Sequence, residues 1–373
     1  MINDRKIRVL HFELNSNLGG IESFLLNLYT QIDRSKIQFE FVTTSDNPAL
    51  SDRLEELGGV IHKVSSYKNI IRYCQDIEGL LDSKFDIVHI HKNSAINILP
   101  LILAKKHNVP AVIIHSHNTA PSVTKMLKVL HFFNRGYICK VADERFACSK
   151  DAGKWMFGNK EFKIIQNGIL TKQFLYKNDI RKEKRNEFGI LNNVVVIGHV
   201  GRFTLQKNHM FLVDIFKEFT KKNSKSMLLL IGTGELMEDI REKVKKEGLS
   251  EKVIFTGVRH DIANLMMCMD AFVMPSLYEG LPIVGVEAQA TGLPVILSDT
   301  ISRDTEVTEA VEWYSLKDDK TKIVKKIQEA VSKVTEQTRI ERNNQVVQNG
   351  FDMDTSAQKI LESYMRILRK KLD

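Results

Sequence analysis

Val194-Val195-Val196-Ile197-Gly198-His199-Val200-Gly201-Arg202-Phe203-Thr204-Leu205-Gln206-Lys207-Asn208 lies just past the middle of a 373-residue chain. It reads as a buried strand, then a glycine-led loop, then a helix carrying Phe211, Leu212, Ile215 and Phe216 at helical spacing. The N-terminus has already used this pattern. There Ile7 to Phe12 form an apolar run, Glu13 to Gly20 a loop, and Ile21, Phe24, Leu25 and Leu28 one face of a helix. Gly19-Gly20 fall where that strand-to-helix turn must be tight. A pattern that begins twice, in a chain long enough for two domains of roughly 150–200 residues, predicts two similar folds in tandem.

Working outward from both starts gives the same rhythm. Short apolar runs at Phe39–Val42, Ile87–Ile90, Ala111–Ile114 and Arg145–Ala147 alternate with helical patterns such as Ile70–Leu81 and Ile96–Ala104. The second half repeats the alternation at Met227–Ile231, Val253–Phe255, Ala271–Met274 and Pro294–Leu297. Strands alternating with helices predict parallel sheets covered on both faces, so the fold class is α/β with two doubly wound, Rossmann-like domains. The join falls near Asn167-Gly168, a turn-forming pair after an expected strand at Phe162–Gln166. This gives domains of 1–168 and 169–354. A final helix at about 355–371 has Ile360, Tyr364, Ile367 and Leu368 on one face and could pack on either domain.

With 43% hydrophobic and 27% charged residues the composition is globular. No stretch of about 18 apolar residues exists to span a bilayer. The first residues lack a signal peptide's apolar core, and four scattered cysteines without a CxxC spacing suit reduced thiols. A cytoplasmic protein is expected. The net charge of +8 favours an anionic partner. The charge is concentrated: between Asp86 and Asp143 there is no acidic residue, yet Lys92, Lys105, Lys106, Lys125, Lys128, Arg135 and Lys140 all occur. Within that span, Val123 to Tyr137 align Val123, Met126, Leu127, Leu130 and Phe133 on one helical stripe. Either the stripe faces a core, or the helix lies on anionic lipid.

Chemistry concentrates in Pro275-Ser276-Leu277-Tyr278-Glu279-Gly280-Leu281-Pro282-Ile283-Val284-Gly285-Val286-Glu287. A buried strand enters a turn whose free N–H groups, with the helix that follows, form an anion site. Eight helical residues would separate the backbones of Glu279 and Glu287 by about 12 Å. A retaining glycoside hydrolase needs carboxyl groups about 5–5.5 Å apart. The pair is better suited to gripping different parts of one extended ligand. Arg202 and Lys207, in the loop after a strand, stand where ligands bind open parallel sheets and can meet a diphosphate. Gly232-Thr233-Gly234 forms another such turn, but Met237 replaces the third small residue of a dinucleotide fingerprint and argues against an NAD enzyme. His89/His91 and His115/His117 put pairs of imidazoles on one strand face. With no carboxylate nearby they are weak metal candidates, and His117 is expected to contact a polar ligand.

Together these residues resemble the retaining glycosyltransferases of family 4, which have the two-domain GT-B fold with a central cleft. The resemblance covers nearly the whole chain, and its most specific element is Glu279-x7-Glu287 within Glu-Gly-Leu-Pro…Glu-Ala-Gln-Ala-x-Gly-x-Pro-Val. His115-Ser116-His117-Asn118, Ala147-Cys148-Ser149-Lys150 and Asn167-Gly168 fit the capsular and exopolysaccharide subgroup. The resemblance implies that Arg202 and Lys207 bind the donor diphosphate, Glu279 the sugar hydroxyls and Glu287 the ribose. Gly280 and Leu281 would offer N–H groups, Gly232 would lie near the nucleotide, and Val258-Arg259 beside the base. Gly20 and His117, with His115 as the alternative, would line the sugar from the first domain. It further implies no metal or other cofactor, a UDP-sugar donor, a lipid-linked or oligosaccharide acceptor, and a final helix packed back on the first domain. A site on the inner face of the cell membrane follows if the basic helix docks there. The same layout serves nucleotide-sugar 2-epimerases and phosphorylases, although no pyridoxal phosphate lysine motif is present. Few aromatics in the basic span and no recognised binding module argue against a nucleic-acid partner.

Overall fold

The computed structural model describes residues 5–16, 19–118 and 124–372. The chain divides into two units, Met1–Gly168 with Asp352–Asp373, and Ile169–Phe351. The first holds seven parallel strands: β1 (Ile7–Leu14), β2 (Ile37–Thr43), β3 (Val60–Lys63), β4 (Ile87–Lys92), β5 (Ala111–Ser116), β6 (Glu144–Ala147) and β7 (Lys163–Ile164). Their order is β3-β2-β1-β4-β5-β6-β7, so the winding direction reverses between β1 and β4. β4 and β5 are buried along their whole length, as expected of parallel strands covered by helices on both faces.

Three expectations shift. β3 was not foreseen, because Val-Ile-His-Lys is a short edge strand with no buried residue. The strand expected at Phe162–Gln166 shrinks to two residues. The helix expected from Ile96 starts at Leu99, with Pro100 in its first turn, where a missing N–H costs nothing.

The second unit holds β8 (Val195–Val200), β9 (Ser226–Ile231), β10 (Val253–Phe255), β11 (Ala271–Met274), β12 (Val295–Ser298) and β13 (Val311–Tyr314), in the order β10-β9-β8-β11-β12-β13. Here the reversal lies between β8 and β11. Apolar clusters cover both sheet faces, one around Ile197, Phe216, Leu228 and Leu230, the other around Leu229, Phe272, Met274 and Val286. Helix Ile283–Ala290 ends toward Gly292, whose φ of +75° only glycine adopts freely and whose Cβ would lie 2.2 Å from Arg339 Cα.

The final helix, Met353–Leu372, packs on the first unit. Ile360 and Tyr364 are fully buried, the Tyr364 hydroxyl lies 2.6 Å from His89 Nδ1, and Arg366 pairs with Glu144. Among the described residues no helix is long and apolar enough to cross a membrane.

Candidate functional site

In an open parallel sheet the loops on either side of the winding reversal diverge and leave a crevice at the strands' carboxyl ends. In the second unit those loops are 201–208, after β8, and 275–282, after β11. They are stitched together. Leu277 N–H donates to Gln206 O at 2.8 Å, Gln206 Nε2 to Tyr278 O at 3.0 Å and Asn208 Nδ2 to Pro275 O at 3.2 Å. Ser298 and Thr300 hydroxyls donate to Ser276 O at 2.7 and 2.6 Å from below. This lacing brings Lys207 Nζ to 2.7 Å from Glu279 Oε1, with both side chains largely buried. Residues 72 positions apart thus meet at the reversal. Arg202 stands apart from that pair: its side chain is 71% exposed and its Nε lies 3.9 Å from Glu235 Oε2.

Gly232 has a structural reason to be glycine. At φ +126° a Cβ there would lie 2.2 Å from Gly201 O. The turn after β9 therefore stacks backbone on backbone against the turn that carries Arg202, with Phe203 N–H donating to Thr233 O at 2.9 Å. Val258 is exposed beyond β10. The Arg259 guanidinium is already engaged, donating to both Asp261 carboxylate oxygens at 2.8 Å and to Glu187 at 2.9 Å. Its carboxylate partners hold it above the usual arginine range. These bonds use Nε and Nη2, which leaves Nη1 and the backbone of this residue to meet a base.

Helix Ile283–Ala290 begins after Pro282, which occupies the capping position rather than the first turn. Glu279 is therefore in the preceding loop and Glu287 within the helix. The first N–H groups of the helix have no intrahelical acceptor, and Gly280 beside them is exposed while Leu281 is half-buried. The Glu287 carboxyl has no hydrogen-bond or ion-pair partner among the described residues, while its backbone carbonyl accepts from the Thr291 N–H at 3.0 Å and hydroxyl at 2.9 Å. Enough protein surrounds the partly open carboxyl that burial pushes it up to about 7. A desolvated acid with nothing to pair with is stabilised by a ligand that brings hydrogen-bond donors.

In the first unit the two His-x-His pairs join His11, missed in the sequence because it stands alone there. Register reveals it: His11 pairs with His89 across β1 and β4, and His91 with His115 across β4 and β5. His11 Nδ1 lies 2.9 Å from His91 Nε2, His91 Nδ1 2.8 Å from His117 Nε2, and His117 Nδ1 3.0 Å from Asn167 Oδ1. Burial lowers the pKa of all five, to about 4 for His117 and about 3 for His11, so they are neutral at pH 7. Two triads, His11/His89/His91 and His91/His115/His117, bring ligand nitrogens within 4.8 Å of each other. The chain of bonds from His11 to Asn167 occupies both ring nitrogens of His91 and His117. His117 is the half-buried member and His115 the fully buried one. Gly20 opens helix Gly20–Gln31 with nothing within 4 Å of where a Cβ would be. Gly19 is the crowded member of the pair, since its Cβ would lie 2.9 Å from Glu22 Oε2.

The basic helix spans Lys125–Val141, and Val123 of the expected stripe lies outside the described residues. Met126 (77% exposed), Val129 (70%) and Phe133 (82%) face solvent together with Leu130, Phe132 and Tyr137. The inner face is held by polar anchors instead. Ala95 N–H donates to His131 Nδ1 at 3.0 Å, and Asn134 Nδ2 donates to Ala95 O at 2.8 Å. A core-facing apolar stripe is therefore not what forms.

Similarity to known proteins agrees with this geometry. The family described as Glycosyltransferase Family 4 matches residues 18–173, and Glycosyl transferases group 1 matches residues 180–349. Over 319 residues, 82% of each chain, the sequence is 34% identical to EpsF of Bacillus subtilis, a protein placed among the glycosyltransferases. It is 27% identical, over 98% of each chain, to the UDP-Gal:alpha-D-GlcNAc-diphosphoundecaprenol alpha-1,3-galactosyltransferase of Escherichia coli. The crystal structure of HepE from Anabaena in complex with UDP superposes with a TM-score of 0.79 at 18% identity, covering 97% of this chain and all of the other. The protein is a glycosyltransferase of GT-B fold, and the chain belongs to the family 4 glycosyltransferases.

Proposed function

We propose that this enzyme moves a hexose or N-acetylhexosamine from a UDP-sugar to a polysaccharide or lipid-linked glycan acceptor, with retention of anomeric configuration. The observation that carries this reading is the Lys207–Glu279 contact at the winding reversal, together with the partnerless Glu287 carboxyl in the helix that follows Glu279. A nucleoside diphosphate supplies what the site lacks: ribose hydroxyls for Glu287, and phosphate oxygens for Lys207, Arg202 and the N–H groups at Gly280 and Leu281. The Escherichia coli relative is named for a UDP-galactose donor and a diphosphoundecaprenol-linked acceptor, and HepE binds UDP. In the first unit the open side of Gly20 admits a ligand, and neutral His117 hydrogen-bonds a sugar hydroxyl once it gives up its bond to Asn167.

The acceptor hydroxyl gives its proton to the departing phosphate oxygen as the sugar–phosphate bond breaks and the new glycosidic bond forms on the same face. Lys207 and Arg202 stabilise the charge that accumulates on the diphosphate. That role needs no metal ion. The decisive experiment is a panel of nucleotide-sugars, assayed for UDP release and for product configuration by NMR, with and without chelator. Release only with acceptor present or by slow hydrolysis, an α-linked product from an α-linked donor, and indifference to chelator are expected. Isomerised donor without acceptor would instead identify a 2-epimerase.

A second reading concerns location. The outward apolar stripe Met126, Val129 and Phe133, flanked by Lys125 and Lys128, suits peripheral docking on an anionic membrane. Co-sedimentation with phosphatidylglycerol vesicles is expected to weaken with salt and in the Phe133→Ser/Lys128→Glu variant. Binding that ignores both refutes it.

A further inference from the structure

Beneath the loop that carries Lys207 lies a buried group that the transfer step above does not use. His199, the penultimate residue of β8, is fully buried, and its Nδ1 lies 2.8 Å from Val273 O. A carbonyl only accepts, so Nδ1 carries the proton and Nε2 keeps a bare lone pair. No donor among the described residues meets that lone pair. His209 is also buried and stands edge-to-face against the His199 ring at 4.7 Å, with both of its ring nitrogens unpartnered. Burial, with neighbouring charge that includes Lys207, lowers the pKa of His199 well below the usual histidine value and that of His209 to about 3. Both imidazoles are therefore neutral at pH 7.

Gly201 shows what the lone pair faces. A Cβ at Gly201 would lie 3.1 Å from His199 Nε2 and 3.4 Å from both Cδ and Cε of Lys207. The bare nitrogen and the end of the lysine stem thus border one small space, which a side chain at position 201 would fill. The Lys207 ammonium has three N–H donors. One of them meets Glu279 Oε1 at 2.7 Å, and only 17% of the lysine side chain is exposed. We propose that His199 is a positioning residue for glycosyl transfer: its Nε2 accepts a hydrogen bond from the Lys207 ammonium when the diphosphate is bound, and so aims the remaining N–H at the leaving phosphate. This assignment rests on the glycosyltransfer reading above and adds the group that orients Lys207.

The chemistry of an ammonium explains why a neutral acceptor belongs there. A lysine head group on a four-carbon stem rotates freely, so one carboxylate partner leaves the direction of its other protons open. A second fixed acceptor closes that freedom. A second carboxylate would do so too, but it would cancel the charge that the leaving diphosphate needs. A neutral imidazole sets direction and leaves the charge in place. The ring itself is held by its bond to Val273 and by packing against His209 and Phe272, the latter stacked at 5.8 Å.

The test separates the two ring nitrogens, using the full-length enzyme and a UDP-sugar that it turns over. In His199→Asn the short amide keeps a donor near the place of Nδ1, for Val273 O, and has nothing at the place of Nε2. In His199→Gln the longer amide brings an acceptor to the place of Nε2 and leaves Val273 O unmet. His199→Asn is expected to lower kcat by about tenfold or more with donor KM within about threefold, because aim matters as charge develops. His199→Gln is expected to keep kcat within about threefold of wild type. His199→Asn is then combined with Lys207→Met, where a residue that acts through Lys207 loses its effect, so the double variant should match Lys207→Met within about twofold. The opposite order, with Asn active and Gln impaired, identifies a purely structural bond to Val273 and overturns the proposal. Unchanged kcat in both variants overturns it as well. If both are impaired, the Lys207→Met background decides alone: a loss that persists there marks a disturbed fold and overturns the proposal. Wild-type enzyme that releases UDP from no donor refutes the glycosyltransfer reading itself, and is seen before any variant is made.

Discussion

Glu287→Gln separates the two roles of a desolvated, partly open acid, because the same surroundings that prepare it for a ligand weaken the empty protein. Burial lifts its pKa from the ordinary 4.5 to about 7. Between those values the folded chain keeps a proton that the unfolded chain has released. Stability therefore falls as pH rises through this window and levels off above about pH 7. With 1.36 kcal/mol per unit, the penalty is about 0.8 kcal/mol at about pH 5 and about 3.3 at about pH 8. Glutamine fills the same space without ionising. The variant should therefore gain roughly 2.5 kcal/mol over wild type between about pH 5 and about pH 8. The chain has two tryptophans, Trp155 and Trp313. In a Trp155→Phe background, urea unfolding followed by Trp313 fluorescence reports the second unit alone. Other titrating groups cancel in the comparison. Wild-type and variant stabilities that run parallel across this pH range would refute the desolvated-acid account. The same variant should bind UDP more weakly, showing that stability is given up for function.

Lys207→Met should lower UDP release by about 10²–10³-fold, the usual loss when a group that stabilises leaving charge is removed; turnover within threefold would take Lys207 out of the site. Gly232→Ala places a Cβ 2.2 Å from Gly201 O at φ +126°. It should abolish UDP binding in calorimetry while leaving vesicle binding by the first unit unchanged. Tyr364→Phe leaves buried His89 Nδ1 without its partner at 2.6 Å, at a cost of about 1–3 kcal/mol. A lower melting temperature and earlier proteolysis of the C-terminal helix are the expected signs, and an unchanged melting temperature would contradict the bond's importance.

Much of the architecture was legible because parallel strands covered on both faces must be continuous apolar runs, and Val194–Val200 or Ala271–Met274 can hardly be anything else. β3 and β13 were not legible, since short edge strands such as Val60–Lys63 need no such run. Helix Lys125–Val141 shows the limit of periodicity. Its apolar stripe was visible, but which way the stripe faces depended on His131 and Asn134, whose partners at Ala95 lie far off in the chain.

By itself, the order of residues determined that two doubly wound sheets would form and which loops would end at their carboxyl edges. Those properties follow from local apolar patterning and from the glycines and prolines of the turns. Only the tertiary structure decided which side chains meet. Lys207 reaches Glu279 because β8 and β11 are neighbours at a winding reversal, and Glu13 reaches Lys92 because β1 and β4 are. Strand order is set by the free energy of packing the whole sheet, and no local spacing encodes it.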